Sequence, residues 1–286
     1  MNYKTSPSAC RSRTPSSDTI EWEAIMKHLR KVVMAIGLLA ATFGATAAQA
    51  QPAAPVKARN VVLVHGAWAD GSSWAKVIPL LQAAGLHVTA VQNPLTSLAD
   101  SAAATKRVLA QQDGPTVLVA HSWGGTVISE VGTDPKVASL VYVAARAPDA
   151  NEDFVALSAK FPAGPVRAGV EEHDGFTTIA EKPFLESFAN GVDHKTAETL
   201  FAVQQPAAAT LFAEKTSAAA WHAKPSWYAV STRDRTINPD LQRFLAERMK
   251  ATTVSVDAGH LSLVSHPREI ANLILQAAGQ KTPSGS

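Results

Sequence analysis

The stretch VLVAHSWGG, residues 117–125, runs from an apolar segment through a single serine into two glycines. The β-branched apolar run is typical of a buried strand, and Val127, Ile128 and Val131 then recur at helical spacing. Ser122 would lie in the sharp turn between strand and helix, where the free N–H groups of the helix point at a ligand. The stretch therefore predicts an α/β fold and raises the question whether Ser122 is a nucleophile or only a polar residue in a turn.

On both sides of this stretch, β-branched apolar runs alternate with amphipathic helical segments, a pattern typical of parallel βαβ units. The predicted strands are residues 61–64, 86–91, 116–120, 139–144, 227–231 and 253–256. Their apolar residues are continuous rather than alternating, so we expect helices to cover both faces of the sheet. The pattern predicts a mostly parallel, doubly wound sheet of about six strands.

Several helix boundaries carry their own signals. Pro79 predicts a kink in the helix that ends at Gly85. Ser97 and Asp100 form a candidate capping box. Asn238, followed by proline, predicts the N-terminus of a further helix.

One long segment, residues 147–223, interrupts the alternation of strands and helices. Insertions of this length in compact domains are usually lids or binding elements. We expect a mostly helical cap above the carboxyl edge of the sheet, where ligands of open α/β sheets bind. The α/β core would then comprise residues 60–146 and 224–279, with a short linker at 51–59 and a flexible tail at 280–286.

The N-terminal region has the layout of an exported protein. Residues 26–50 combine a basic start, an apolar run and the small-residue sequence Ala48-Gln49-Ala50, which together are typical of a signal peptide. A retained membrane anchor is the alternative, but Gly37 and Gly44 interrupt the apolar run and no stop-transfer charge cluster follows it. Residues 1–25 are polar and predicted to be unstructured or a mis-assigned start. We expect a periplasmic or secreted protein, cleaved near Ala50.

Composition restricts the partners and the chemistry. The 286 residues include 26 Lys and Arg and 24 Asp and Glu, a net charge of +2, but six of these basic and three of these acidic residues precede residue 51. The remaining chain is close to neutral, which gives no argument for a nucleic-acid partner. Cys10, the single cysteine, precedes the leader, so a processed chain would lack disulfides, thiolate nucleophiles and thiolate metal sites. Nothing indicates a metal or another cofactor.

The residues that would activate Ser122 follow in a suggestive order. A serine nucleophile needs a base, and the base needs an orienting acid. Asp234 follows the strand at 227–231, and His260 follows the strand at 253–256. Because parallel strands end at one edge of the sheet, Ser122, Asp234 and His260 are predicted to meet there as a catalytic triad.

Other assignments remain open. Asp257 and Asp149 also follow strands and are alternative acids, although Asp257 is expected to be solvated. His266, directly before a proline, is most simply a helix cap. His121 lies within the serine turn and is expected to pack or hydrogen-bond locally.

An oxyanion site and a pocket are predicted near the first strand. The sequence VLVHGAW, residues 62–68, ends in a His-Gly turn that would aim the N–H of Ala67 at the same point as the N–H of Trp123. His65 is a candidate pocket residue, with bracing of this loop as the simpler alternative. Trp68 is a candidate pocket wall.

Taken together, HGAW, AHSWGG, RDRTINPDLQ and GHLSLVSHP resemble motifs of the α/β-hydrolase superfamily, in the small-lid branch with plant methylesterases, hydroxynitrile lyases and bacterial esterase-like proteins. The resemblance extends from Asn60 to about Ala278. It implies the triad and oxyanion residues named above. The chain departs from the usual G-x-S-x-G motif at Ala120, and from the lyases at Leu261, where they have a lysine after the triad histidine.

The resemblance implies a secreted, cofactor-free serine hydrolase that acts on small carboxylic esters. Perhydrolase, haloperoxidase or hydroxynitrile-lyase activity, or ligand binding without catalysis, are the alternatives. The expected partner is a small-molecule ester, with no nucleic acid and no stable membrane anchor. The sequence does not indicate an oligomeric state.

Overall fold

A computed structural model describes residues 57–280. The predictions for residues 1–25, for the signal peptide at 26–50 and for residues 281–286 of the tail lie outside the described residues. Within the described range, none of the helices is both long and apolar enough to cross a membrane.

Six parallel strands form the central sheet, which confirms the predicted α/β architecture. The strands are β1 (Asn60–Val64), β2 (His87–Val91), β3 (Thr116–His121), β4 (Val137–Val143), β8 (Ser226–Ser231) and β9 (Thr252–Val256). Their spatial order is β2-β1-β3-β4-β8-β9. The order reverses direction at β1 and β3, so the carboxyl ends of these two strands form the crevice in which doubly wound sheets bind ligands.

Helices on the sheet bury its central strands. The helices of the core are α1 (Ile78–Ala83), α2 (Leu98–Ala110), α3 (Gly124–Val131), α7 (Pro239–Arg248), α8 (Ser262–Ser265) and α9 (Pro267–Ala277). α1 packs on α9 and α2 packs on α3, and each of these pairs also contacts the sheet. Every residue of β1 and β3 is buried.

The two edge strands differ from the prediction that all strands are covered on both faces. Only Val91 of β2 and Val256 of β9 are fully buried, and the other residues of these strands are exposed or half-buried. An edge strand has one neighbour instead of two, and fewer helices reach it. Their apolar composition therefore does not indicate full burial.

The caps predicted at Ser97 and Asn238 are present, but the predicted kink is not. The Ser97 side chain accepts a hydrogen bond from the Asp100 N–H at the start of α2, and the Asn238 side chain caps α7 in the same way. Pro79 lies in the first turn of α1, where its missing N–H removes no helical hydrogen bond. A separate 3-10 turn at residues 71–74 precedes the helix.

The segment at 147–223 contains helices, as predicted, and also a small sheet that the sequence analysis did not predict. Its helical pieces are α4 (Phe154–Ser158), α5 (Glu181–Pro183) with a π-helical turn at 184–188, α6 (His194–Ala202), and 3-10 turns at 165–169, 209–213 and 220–222. Its strands are β5 (Val170–His173), β6 (Phe176–Ile179) and β7 (Ala207–Ala208), which form an antiparallel sheet. These strands have two to four residues each and little apolar alternation, so periodicity gives almost no signal for them.

Candidate active site

Ser122 lies at the turn between β3 and α3 with a backbone φ of 53°, a left-handed conformation rare for a residue with a side chain. The turn packs closely against the loop after β1, which leaves no space for a side chain at two glycines. A Cβ on Gly66 would lie 2.6 Å from the Ser122 Cβ, and a Cβ on Gly124 would lie 2.7 Å from the His65 carbonyl oxygen. Ala120, which stands at the usual first glycine of the motif, is buried within β3 and does not prevent the turn. Backbone strain at a turn of this kind is typical of functional sites.

The structure brings together the side chains of Ser122, His260 and Asp234. His260 Nε2 lies 2.9 Å from Ser122 Oγ, and His260 Nδ1 lies 2.8 Å from Asp234 Oδ2. The ionised carboxylate can only accept, so Nδ1 carries the proton and donates it, and Nε2 is left free to accept from the serine hydroxyl. The residue exposures of Ser122, His260 and Asp234 are 6%, 0% and 7%. A serine, a base and an acid are thus connected in a nearly water-free environment.

The carboxylate of Asp234 has further donors. Its Oδ1 accepts from the backbone N–H groups of Thr236 at 2.7 Å and Ile237 at 3.0 Å. Its Oδ2 accepts from the Gln242 amide at 2.7 Å as well as from His260. Hydrogen bonding of this extent compensates the burial of the carboxylate.

His260 is also held from behind its ring. His121 Nε2 donates to the His260 carbonyl oxygen at 3.0 Å, and the two rings lie 4.6 Å apart. The Phe188 ring of the cap lies 5.2 Å from the His260 ring. Burial lowers the pKa of His121 well below its usual value, and the neighbouring His260 lowers it further. His121 therefore remains neutral at pH 7 and adds no positive charge beside His260.

The predicted oxyanion donors lie on either side of Ser122. Trp123 follows it in the chain, and Ala67 follows Gly66, whose backbone packs against Ser122. Within residues 57–280 neither the Ala67 nor the Trp123 N–H donates to a protein atom. Their role as oxyanion donors therefore stays a prediction, compatible with two N–H groups that have no protein acceptor in this range.

His65 braces the loop after β1, which was the simpler alternative to its predicted pocket role. Its Nε2 accepts from the Asn93 N–H at 2.8 Å, and its Nδ1 donates to the Gly66 carbonyl oxygen at 2.9 Å. The side chain is fully buried, and burial lowers its pKa. With both nitrogens occupied, His65 holds the loop after β1 in place and has no ring nitrogen left for a pocket ligand.

Trp68 is a wall between the core and the cap. Its Nε1 donates to the carbonyl and hydroxyl oxygens of Thr177 in β6, and its ring packs against Phe188 and Phe212. A small cavity beside it is lined by Trp68, Ala69, Asp70, Ser73, Phe184, Phe188, Leu200, Val203 and Leu261. The lining is mostly apolar, and it includes the residue that follows His260.

The alternative acids and bases lie elsewhere. Asp257 is exposed and paired with Arg233, which holds the pKa of that carboxyl below its usual value. Asp149 pairs with the His222 ring at 3.1 Å. His266 stands at the N-terminus of α9 without capping it, and its Nδ1 bonds to the Ser265 hydroxyl. Across residues 57–280, no three His, Cys, Asp or Glu side chains are grouped so that they could hold a metal ion.

Two contacts of the site were missed from the sequence. Gln242 was not singled out from the sequence, although it is one of the buried residues of its helix. His121 was expected to bond locally, but its partner His260 is 139 positions away. No local pattern marks a contact between the end of β3 and the loop after β9, which only the folded sheet brings together.

Comparisons with known proteins agree with this architecture. The alpha/beta hydrolase family model matches residues 61–273. Polyneuridine aldehyde esterase from Rauvolfia serpentina is 27% identical over 252 residues, covering 76% of this chain and 94% of that protein. Methylesterase 9 from Arabidopsis thaliana is 25% identical over 252 residues, covering 77% of this chain and 98% of that protein.

The solved structures show the same fold. A pyrethroid hydrolase from Sphingobium faniae JZ-2 matches with a TM-score of 0.66 at 20% sequence identity, over 78% of this chain and 98% of that one. The family match confirms the resemblance stated from the motifs, and the names of the relatives support a hydrolase. This chain therefore belongs to the alpha/beta hydrolase family.

Proposed function

We propose that this protein is a serine hydrolase that cleaves small carboxylic esters through an acyl-enzyme. The observation that carries the proposal is the chain of hydrogen bonds from Ser122 through His260 to Asp234, with distances of 2.9 and 2.8 Å. Two further observations support the proposal. Relatives of this chain are named esterases, and Ser122 has a strained, left-handed backbone conformation.

The proposed reaction has two halves. Ser122 Oγ attacks the ester carbonyl carbon while its proton passes to His260 Nε2, and the Ala67 and Trp123 N–H groups stabilise the oxyanion. The tetrahedral intermediate collapses, and His260 returns the proton to the departing alcohol. A water molecule then gives a proton to His260 as its oxygen attacks the acyl-enzyme carbonyl. The second tetrahedral intermediate collapses, His260 returns the proton to Ser122 Oγ, and the carboxylic acid leaves. Asp234 keeps the His260 proton on Nδ1 throughout.

The proposed substrates carry an uncharged, apolar group. Trp68, Phe188 and Leu261 line the cavity beside the site, and no lysine or arginine lies among its lining residues. An anionic acyl or alcohol group would lose its hydration there without gaining a cationic partner, and Asp70 in the lining would repel it.

The first test combines labelling with turnover. The protein is treated with a fluorophosphonate, the added mass is located by peptide mass spectrometry, and hydrolysis of short-chain p-nitrophenyl esters is measured. We expect the adduct on Ser122, and we expect Ser122→Ala to lower kcat by about 10⁴- to 10⁶-fold with the fold intact.

Ser101→Ala is the matched control, because Ser101 is also a fully buried serine and its hydroxyl has no partner in the described part of the chain. The Ser101→Ala variant is expected to keep the fluorophosphonate adduct on Ser122 and the wild-type turnover of the ester. A folded wild-type sample in which Ser122 stays unlabelled and esters stay intact would overturn the proposed function, and ligand-binding screens would follow.

We also propose that the protein acts outside the cytoplasm after cleavage near Ala50. The basic, apolar and small-residue parts of residues 26–50 support this proposal. N-terminal sequencing of the protein from periplasm or medium is expected to begin close to Gln51. An intact leader on active protein in the cytoplasmic fraction would contradict it.

A further inference from the structure

We infer that Gln242 is a positioning residue for the reaction, because its amide holds the Asp234 oxygen that orients His260. This inference rests on the proposed function. Gln242 Nε2 donates to Asp234 Oδ2 at 2.7 Å, and the same oxygen accepts from His260 Nδ1 at 2.8 Å. The amide therefore contacts the acid at the atom where the acid contacts the base.

The orientation of this amide is determined by its other partners. Gln242 Oε1 accepts from the Ser231 N–H at 2.9 Å, and an oxygen is required there because the backbone group is a donor. The Nε2 group must then face Asp234 Oδ2 and the Ile237 carbonyl oxygen, which lies at 2.9 Å. The reversed amide would set donor against donor and acceptor against acceptor in a fully buried position.

These contacts connect three parts of the structure. Gln242 belongs to α7, Ser231 is the last residue of β8, and Asp234 lies in the loop between them. The loop N–H groups of Thr236 and Ile237 hold only Oδ1, so apart from His260 itself the only donor to Oδ2 is Gln242 among the described residues. Gln242 fixes the second oxygen from a helix, which is more rigid than the loop.

Gln242 also suits the electrostatics of the site. It is neutral, so it supplies a donor to the buried carboxylate without a positive charge that would compete with the imidazolium formed in the reaction. A lysine or arginine in its place would pair with Asp234 and weaken the stabilisation of protonated His260.

A purely structural role is the competing explanation, because the same amide ties α7 to β8. Two substitutions separate the roles. Gln242→Met is close in shape and removes every hydrogen bond of the amide. Gln242→Glu retains an oxygen for the Ser231 N–H, so it keeps the tie, but its other oxygen can donate to Asp234 only when it carries a proton.

Leu245→Ala is the matched control. Leu245 is fully buried on the same helix, and its side chain has no donor that could bond to Asp234. It loosens the packing of α7 without removing a donor from the acid. Its effect on thermal stability should equal or exceed that of the Gln242 substitutions.

We measure kcat and KM for a p-nitrophenyl ester from pH 5 to 9, and the low-field proton NMR signal of the His260 Nδ1–H, assigned by its loss in His260→Ala. Gln242→Met should lower kcat by about ten- to a hundredfold with KM changed less than about threefold, and should shift the NMR signal. Gln242→Glu should approach wild-type kcat at the acid end and lose activity as the pH rises, because two adjacent carboxylates must share one proton. Leu245→Ala should leave the shape of the pH profile and the NMR signal unchanged.

The results separate this inference from the proposed function. If both Gln242 variants keep the wild-type kcat, pH profile and NMR signal, the positioning role is overturned. If all three variants, including Leu245→Ala, change in parallel, the role is structural and the inference is again overturned. The wild type could also fail to hydrolyse the ester while the His260 NMR signal still shifts in Gln242→Met. That result would overturn the ester-hydrolase proposal, and the effect of Gln242 on His260 would stand.

Discussion

The proton on the His260 ring is controlled by a few atoms around Asp234. Oδ1 is committed to two backbone N–H groups, those of Thr236 and Ile237, and Oδ2 is committed to His260 and Gln242. The carboxylate therefore acts as an acceptor at every position. A side chain with a donor at either position would conflict with its neighbours.

Asp234→Asn is predicted to remove most activity while leaving the fold intact. The two loop N–H groups require the amide oxygen at the Oδ1 position, so the amide NH₂ faces His260 Nδ1. The imidazole must then accept at Nδ1 and carry its proton on Nε2, where it cannot take the proton of Ser122. We expect kcat to fall by about 10⁴-fold, measured with a p-nitrophenyl ester.

Asp257→Asn and Asp149→Asn serve as controls, since both residues were alternative acids and both are paired elsewhere. Each is expected to keep kcat within about twofold of the wild type. If kcat fell strongly in either control while Asp234→Asn stayed active, the residue that orients His260 would be Asp257 or Asp149 instead of Asp234.

The cap depends on hydrogen bonds that cross to the core at particular elements. The indole of Trp68, in the loop after β1, donates to the carbonyl and hydroxyl oxygens of Thr177 in β6. The Thr177 hydroxyl in turn donates to the Ala207 carbonyl oxygen of β7. One buried indole thus connects the loop after β1 to two strands of the small sheet.

Trp68→Phe is predicted to loosen the β5-β6-β7 sheet and to raise KM more than it lowers kcat. Removing the indole N–H leaves the Thr177 oxygens short of a donor, at a cost of about 1–3 kcal/mol. Amide hydrogen exchange in residues 170–179 should accelerate, because β6 loses the hydrogen bonds that join it to the loop after β1.

Trp74→Phe is a close control. Trp74 is also fully buried, but its indole N–H has no partner among the described residues, so the substitution removes the same atoms and no hydrogen bond. Equal acceleration of exchange in both variants would show that lost ring volume, not the lost donor, loosens the sheet.

At the scale of the whole molecule, two buried histidines set a limit on acid stability. Burial lowers the pKa of His65 and lowers that of His121 well below its usual value. The unfolded chain takes up protons on both side chains below about pH 6.5, whereas the folded chain does not. Folding stability is therefore fully present above that pH and is lost as the pH falls toward the folded-state pKa values.

We predict that the free energy of unfolding decreases between pH 7 and pH 5, and that His121→Gln flattens this decrease. Each unit of pKa difference between the folded and unfolded states corresponds to about 1.4 kcal/mol. Urea unfolding at a series of pH values measures the slope. His87→Gln, at an exposed position of β2, is the control and should leave the slope unchanged; a His121 variant with the wild-type slope would contradict the prediction.

The sequence by itself determined the α/β architecture and the succession of core strands along the chain. It also determined that Ser122, Asp234 and His260 follow strand ends. These are recoverable because local composition and helical or strand periodicity report which segments are buried, and parallel strands necessarily end at one edge. The predicted strand bounds agree with the structure within about two residues for the same reason.

Only the tertiary structure decided the features that depend on contacts between distant segments. The two-to-four-residue strands of the cap form because neighbouring segments supply their hydrogen bonds, not because their own sequences favour strands. Gln242 reaches Asp234 through the packing of α7 against the loop after β8. His121 reaches His260 because the end of β3 lies beside the loop after β9. Such contacts satisfy buried polar groups, and the identity of the partner is set by three-dimensional proximity, which a linear pattern does not encode.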